Sequence, residues 1–164
     1  MNKTLSKYTL FLIFCVAALC LPLGACSNDD VNESQTEITY NDLPSAAIQF
    51  LRQYFRGEEV VKVSLLTGKD FTVYTVELEN CSIDFNEEGE WQQIDAKYGE
   101  TIPGAVLPEP VQATLQQRYP GFGVNQITKQ GQNYIVVLTN NQGGDSLRLE
   151  FDQSGEILNT SQVY

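Results

Sequence analysis

The sequence predicts an α+β fold of two tandem α-β4 units, with helices packed on one face of antiparallel sheet. Three observations predict it. The stretch 43–96 recurs: it opens on Leu43-Pro44 and again on Leu107-Pro108, and it closes on Asp84-Phe85-Asn86 with Gly89 and again on Glu150-Phe151-Asp152 with Gly155. Each copy begins with apolar residues at helical spacing. Each continues in short runs that alternate apolar and polar residues, divided by turns rich in Gly and Asn. A repeat of this length is one supersecondary unit per copy.

The copies align closely. Leu51 matches Leu115, Phe55 matches Tyr119, Gly57 matches Gly121 and Val63 matches Ile127, all at one offset. After a gap, Tyr74, Val76 and Leu78 match Tyr134, Val136 and Leu138. The insertions and deletions fall where turns are expected, and turns tolerate length changes best.

Residues 1–25 read as a leader. Lys3 and Lys7 make a basic start, 8–23 is a nearly unbroken apolar run, and Leu23-Gly24-Ala25-Cys26 follows. That order is an export signal, and the run is short for a membrane span, which needs about 20 apolar residues. The Leu-Gly-Ala-Cys ending resembles the lipobox of bacterial lipoproteins, which implies cleavage before Cys26 and diacylation of its sulfur. Residues 26–39 are polar, acidic and poor in large apolar side chains, so a flexible tether between membrane and domain is expected there. Asp29 and Asp30 resemble the acidic stretch after the lipidated cysteine in surface-exported lipoproteins of the Bacteroides group; solvation of the tether is the other reading of them.

The first unit spans 40–96. Pro44 fits the first turn of a helix, where its missing N–H costs nothing. Ala47, Ile48, Leu51, Tyr54 and Phe55 form one apolar face, and Gly57 ends the helix. Val61, Val63 and Leu65 begin the strands, and Thr67-Gly68-Lys69-Asp70 is a turn. In 71–78, Tyr74, Val76 and Leu78 share one face, with Phe71, Val73, Thr75 and Glu77 on the other. Ile83 and Phe85 continue the buried face, and Asn86-Glu87-Glu88-Gly89 is a hairpin loop with Gly at a positive φ. Residues 91–94 make the fourth strand. A linker, 97–106, carries Gly99, Pro103 and Gly104. In the second unit, 107–164, Pro108 opens a helix striped by Val111, Leu115 and Tyr119, and 124–129, 134–139, 147–151 and 157–162 are the strands.

Charge excludes some partners. The chain has 21 acidic against 10 basic residues, a net charge of −11, and the leader removes two of the lysines. Such a surface is repelled by nucleic acid and by anionic headgroups, so no nucleic acid is expected and membrane contact is through the lipid anchor only. Cys15 and Cys20 leave with the leader and Cys26 carries lipid, so Cys81 is alone and no disulfide is expected within the domain. The chain has no histidine. Cys81 therefore lacks the base that nucleophilic catalysis requires, and reads as a turn residue or half-buried filler. No Ser-His or Cys-His pairing and no Gly-rich phosphate loop is present; a Ser-Lys pair stays open but has no signature. We expect no enzyme activity and no cofactor.

Leu43-Pro44, Asp84-Phe85-Asn86, Gly89 and Trp91, repeated behind a lipobox, resemble the PepSY-like, β-lactamase-inhibitor-protein-like domains of Bacteroides-group lipoproteins over roughly 43–163. The second copy departs at Ile157, where tryptophan would be expected, and Cys81 stands where glycine is common. The resemblance implies tandem α-β4 units whose sheets form an extended surface. It implies no catalysis, and inhibition of β-lactamase does not carry over with the fold.

Two sets of residues are candidates for a site. The first is the sheet face away from the helices: Phe71, Val73, Ile135 and Val137 point there if Tyr74 and Tyr134 point inward, and Trp91 joins them as an aromatic at a loop. An apolar patch rimmed by polar groups marks an interaction surface. Burial of these residues between the units, or swapped faces, is the alternative. The second is a partial calcium loop, Asp84, Asn86, Glu88 and Asp95 around Gly89, against the plainer reading of a hairpin turn. Asp145-Ser146-Leu147 also resembles the O-glycosylation motif of Bacteroides-group exported proteins. The function expected is a non-catalytic, outer-membrane-anchored binding module, periplasmic or surface-exposed, that takes a protein or peptide. The alternative is a periplasmic inhibitor or accessory protein acting on an envelope enzyme.

Overall fold

The computed structural model describes residues 33–140, 144 and 146–163. The leader, Cys26, residues 26–32 of the expected tether and Asp145 lie outside the described residues. Among the described residues nine strands form a single antiparallel sheet whose spatial order is the chain order: β1 (Ser34–Glu37), β2 (Val60–Thr67), β3 (Thr72–Leu78), β4 (Cys81–Phe85), β5 (Trp91–Ala96), β6 (Phe122–Gln130), β7 (Asn133–Asn140), β8 (Ser146–Phe151) and β9 (Ile157–Val163). The helix α1 (Ser45–Tyr54) precedes β2, and α2 (Glu109–Arg118) precedes β6. Neither described helix is long and apolar enough to cross a membrane.

Local chemistry sets the ends of both helices alike. Pro44 and Pro108 sit at the N-caps, with φ of −54° and −56°, one position earlier than a first-turn proline. Phe55 and Tyr119 are the C-caps, and their N–H groups donate to the carbonyls of Leu51 and Leu115 at 2.9 Å. Gly57 and Gly121 follow at φ +94° and +90°, the left-handed turn that glycine makes most readily.

The core is one apolar layer between the helices and one face of the sheet. Ala47 and Leu51 of α1 and Val111 and Leu115 of α2 are buried in the same cluster as the inward-facing strand residues. A row of cross-strand partners runs through it: Val76 beside Ile83, Ile83 beside Ile94, Ile94 beside Ile127, Ile127 beside Val136, and Val136 beside Leu149. All six are fully buried. Mostly β-branched, they fill the pleated surface well, and each contributes roughly 1.5–3 kcal/mol by leaving water.

The two closing turns press against the two helix starts. Gly89 and Gly155 both have φ +81°; a Cβ on Gly89 would lie 2.7 Å from Pro44 Cβ, and one on Gly155 would lie 2.5 Å from the Pro110 carbonyl oxygen. Asn86 Oδ1 accepts from the Glu90 N–H at 2.8 Å, and Asp152 Oδ1 accepts from the Ser154 and Glu156 N–H groups at 2.9 Å, so each turn is closed by its own side chain. Thr114 Oγ1 of α2 donates to the Gly155 carbonyl at 2.9 Å and ties helix to turn again.

Two expectations change. Ser34–Glu37, placed in the tether by composition, form the edge strand β1 against β2. All four residues are exposed, so main-chain pairing rather than side-chain burial holds them, and composition does not register that. Cys81 is neither a turn residue nor half-buried: it opens β4, and it is buried in the core. Burial, with Glu58 adding to it, pushes its thiol up to about 11.

Gly155→Ala is expected to destabilise by about 2–5 kcal/mol, from a strained left-handed φ and from overpacking. Gly57→Ala meets open space and is expected to cost about 1–2 kcal/mol from the φ alone. Urea midpoints compare the two, and equal losses would contradict the contact. For Cys81, an alkylating reagent at pH 8 is expected to modify the thiol only as fast as the protein unfolds; prompt modification of the native state would contradict its burial.

Candidate functional site

The face opposite the helices collects the polar half of each alternation. At its centre are Thr75 of β3, Asp84 of β4, Gln93 and Asp95 of β5, and Gln126 and Thr128 of β6, set side by side by strand register. They order one another. Thr75 Oγ1 donates to Asp84 Oδ1 at 2.7 Å. Gln93 Nε2 donates to Asp95 Oδ2 at 2.7 Å, and Gln126 Nε2 donates to Asp95 Oδ1 at 2.6 Å. Thr128 Oγ1 reaches Gln93 Oε1 at 3.4 Å. Further out, Asn133 Nδ2 donates to Glu150 Oε1 at 2.9 Å.

Asp95 has a structural task. β5 and β6 meet over only three register pairs, Gln93 with Thr128, Ile94 with Ile127 and Asp95 with Gln126. The Asp95 carboxylate accepts one bond from each side of that seam. Charge-assisted bonds of this kind are stronger than neutral ones. The alternation in the sequence places Thr75 on this face, but Gln93, Gln126 and Thr128 carry no signal beyond their polar positions in it.

The candidate apolar residues disperse. Val73 and Val137 are half-buried on the helix-free face. Ile135 is on that face too, between Thr128 of β6 and Glu150 of β8, but only 8% of it is exposed. Phe71, 37% exposed, precedes β3 in the β2–β3 turn, where its ring lies against Gly68 and its carbonyl accepts the Gly68 N–H at 3.0 Å. Trp91 is a correction: it belongs to the helix side, pairs with Phe85 across β4–β5, and is 8% exposed. Its ring centroid is 6.0 Å from Phe50 of α1 and 6.3 Å from Tyr134 of β7, and Lys129 Nζ of β6 stands 4.1 Å over it. Burial holds the Lys129 ammonium below its ordinary pKa, with Glu90 opposing. Trp91 thus joins the two halves of the core and is buried rather than displayed.

The calcium-loop residues do not converge either. Asp84 is bonded to Thr75, Asn86 caps its own turn, Glu88 is exposed, and Asp95 spans the seam. Among the described residues, no three His, Cys, Asp or Glu side chains gather as metal ligands.

Asp84 is the perturbed acid of this face. Burial raises its pKa above the ordinary 3.8, the Thr75 hydrogen bond pulls it back, and the Asp95 charge adds to the rise. A raised acid binds its proton more tightly in the folded state, so its contribution is present below about pH 4 and is lost as pH rises through the folded pKa. Asp84→Asn keeps an acceptor for Thr75 without the charge. It is expected to be at least as stable as the parent at pH 7, and the gap between the two urea midpoints is expected to widen as pH rises from 4. A gap that stays constant with pH would contradict a raised Asp84.

The comparisons with known proteins agree with this architecture. The family model described as "Putative beta-lactamase-inhibitor-like, PepSY-like" matches residues 29–82 and 72–159. A protein of Bacteroides thetaiotaomicron, described as a "putative calcium-regulated periplasmic protein", superposes with a TM-score of 0.69 at 24% identity, over 77% of this chain and 96% of its own. Two proteins of Bacteroides vulgatus, described in similar terms as periplasmic, give TM-scores of 0.68 and 0.66 at 24% and 27% identity, over 82% and 79% of this chain and 99% and 98% of theirs. No curated protein matches the chain. The chain therefore belongs to the PepSY-like, β-lactamase-inhibitor-like family.

Proposed function

We propose that the chain is a non-catalytic interaction module of the cell envelope, tethered to the outer membrane through a lipidated Cys26, that holds a protein or peptide on its helix-free face. We read its two α-β4 halves as tandem copies that together widen that face. The observation that carries the reading is the face itself: a sheet nine strands wide with both helices on its other side and its polar side chains already ordered by mutual hydrogen bonds. Preordered donors and acceptors lose little entropy on binding. The surrounding half-buried Val73 and Val137 add apolar contact. Envelope placement is supported by the periplasmic descriptions of the structural neighbours.

A second reading follows from the family description: the same face docks on an envelope enzyme and inhibits it. The two readings share a surface and differ only in what the partner is.

Crosslinking in intact cells, followed by isolation of the full chain, tests the proposal. Val73→Asp and Val137→Asp are each expected to lower partner recovery at least tenfold, equivalent to about 1.4 kcal/mol. Tyr98→Ala, a fully exposed position in the connection before α2, is expected to leave recovery unchanged. Recovery indifferent to both aspartates would sink the helix-free face as the binding surface.

A further inference from the structure

We propose that β9 is the surface through which two copies of this chain associate, edge to edge and antiparallel, about a twofold axis perpendicular to the sheet. β9 pairs with β8 on one side, and no strand flanks its other side among the described residues. An edge strand turns alternate N–H and C=O groups outward, a ready template for another strand. Natural edges are usually guarded by lysine, proline, inward charges or bulges. From Ile157 to Val163 there is no charged residue and no proline. The guard present is a register shift opposite Glu150 and Phe151, at the start of the strand. Six of its seven residues are exposed, including Leu158 at 50% and Val163 at 43%.

Charge and length select the occupant. In a chain with a net charge of −11, two copies repel one another wherever acidic surfaces meet. β9 is a seven-residue strand without that cost. The nearest acidic residue in sequence, Glu156, precedes it, and antiparallel pairing sends the two copies of Glu156 to opposite ends of the contact. They are then about 27 Å apart at about 3.4 Å per residue, well beyond the screening length of about 8 Å. The opposite edge is a poorer partner: β1 is four residues long and includes Glu37. Pairing β9 to β1 of the next copy would leave part of β9 uncovered and would build a ring or a filament, whereas β9 on β9 closes as a dimer.

Full overlap of the strand with itself centres on Thr160. Thr160 is the register partner of Leu149, so it ends the buried row of the core, and in the dimer it meets Thr160 of the second copy. Threonine pairs across strands are favourable, and like charges directly opposite are not. The two helix-free faces then lie on the same side of one continuous sheet.

Sedimentation equilibrium of the full chain, purified from cells in density-matched detergent, tests this. The parent chain is expected to be a concentration-dependent dimer. Thr160→Lys and Thr160→Glu are each expected to weaken the dimer at least tenfold while leaving the circular dichroism spectrum and urea midpoint unchanged. An equal mixture of the two variants is expected to restore it, which a folding defect would not do. A parent chain that is monomeric at all concentrations, a dimer indifferent to both substitutions, or association beyond the dimer would each overturn the proposal.

Discussion

One row of apolar cross-strand pairs holds the sheet together as a unit. Val76, Ile83, Ile94, Ile127, Val136 and Leu149 occupy corresponding positions on six successive strands and exclude water completely. The row crosses from β5 to β6 between Ile94 and Ile127, where main-chain pairing is shortest. Everything else is arranged about it. The helices cover it from one side, the closing turns at Gly89 and Gly155 fix where each helix begins, and on the reverse side of the same seam Asp95 bonds to both strands.

Much of this was legible in the sequence because it follows from local periodicity. Leu43-Pro44 and Leu107-Pro108 announced the helices, alternation announced eight of the nine strands, and Tyr74 and Tyr134 gave the direction of the buried face. What escaped depends on long-range geometry. β1 is held by its main chain, so its polar composition looked like a tether. Trp91 looked like a loop aromatic, yet its direction is set by Phe50, Tyr134 and Lys129, which are far apart in sequence. Among the described residues no strand lies beyond β9 for its counterpart Ile157 to stack against, which gives a physical reason for a smaller residue there. Ile135 looked like an exposed patch residue, but it is buried.

The candidate site was legible as a face but not as a constellation. Apolar candidates were chosen because an exposed apolar residue is conspicuous, while the ordered centre of the face is polar. Asp84 and Asp95 were noticed for their possible ligand chemistry. Their hydrogen bonds assign them instead to ordering the face and joining its halves, and burial raises the pKa of Asp84.

The identity of spatial order and chain order in this sheet bears on how the protein is made. Every strand pairs only with its predecessor and its successor, so no pairing has to wait for a distant segment. Low contact order of this kind favours rapid folding. Of the connections between the larger strands, from β2 onward, only the one carrying α2, between β5 and β6, is long; the rest are two to five residues in length. As the chain folds from its N-terminal end, β2 to β5 can zip together before β6 joins them. The last large step is the docking of the second group of strands along three residue pairs, and a nascent chain arrested there would expose Ile94 as an unpaired hydrophobic edge. The seam between β5 and β6 is thus the step at which a partly folded chain is most exposed.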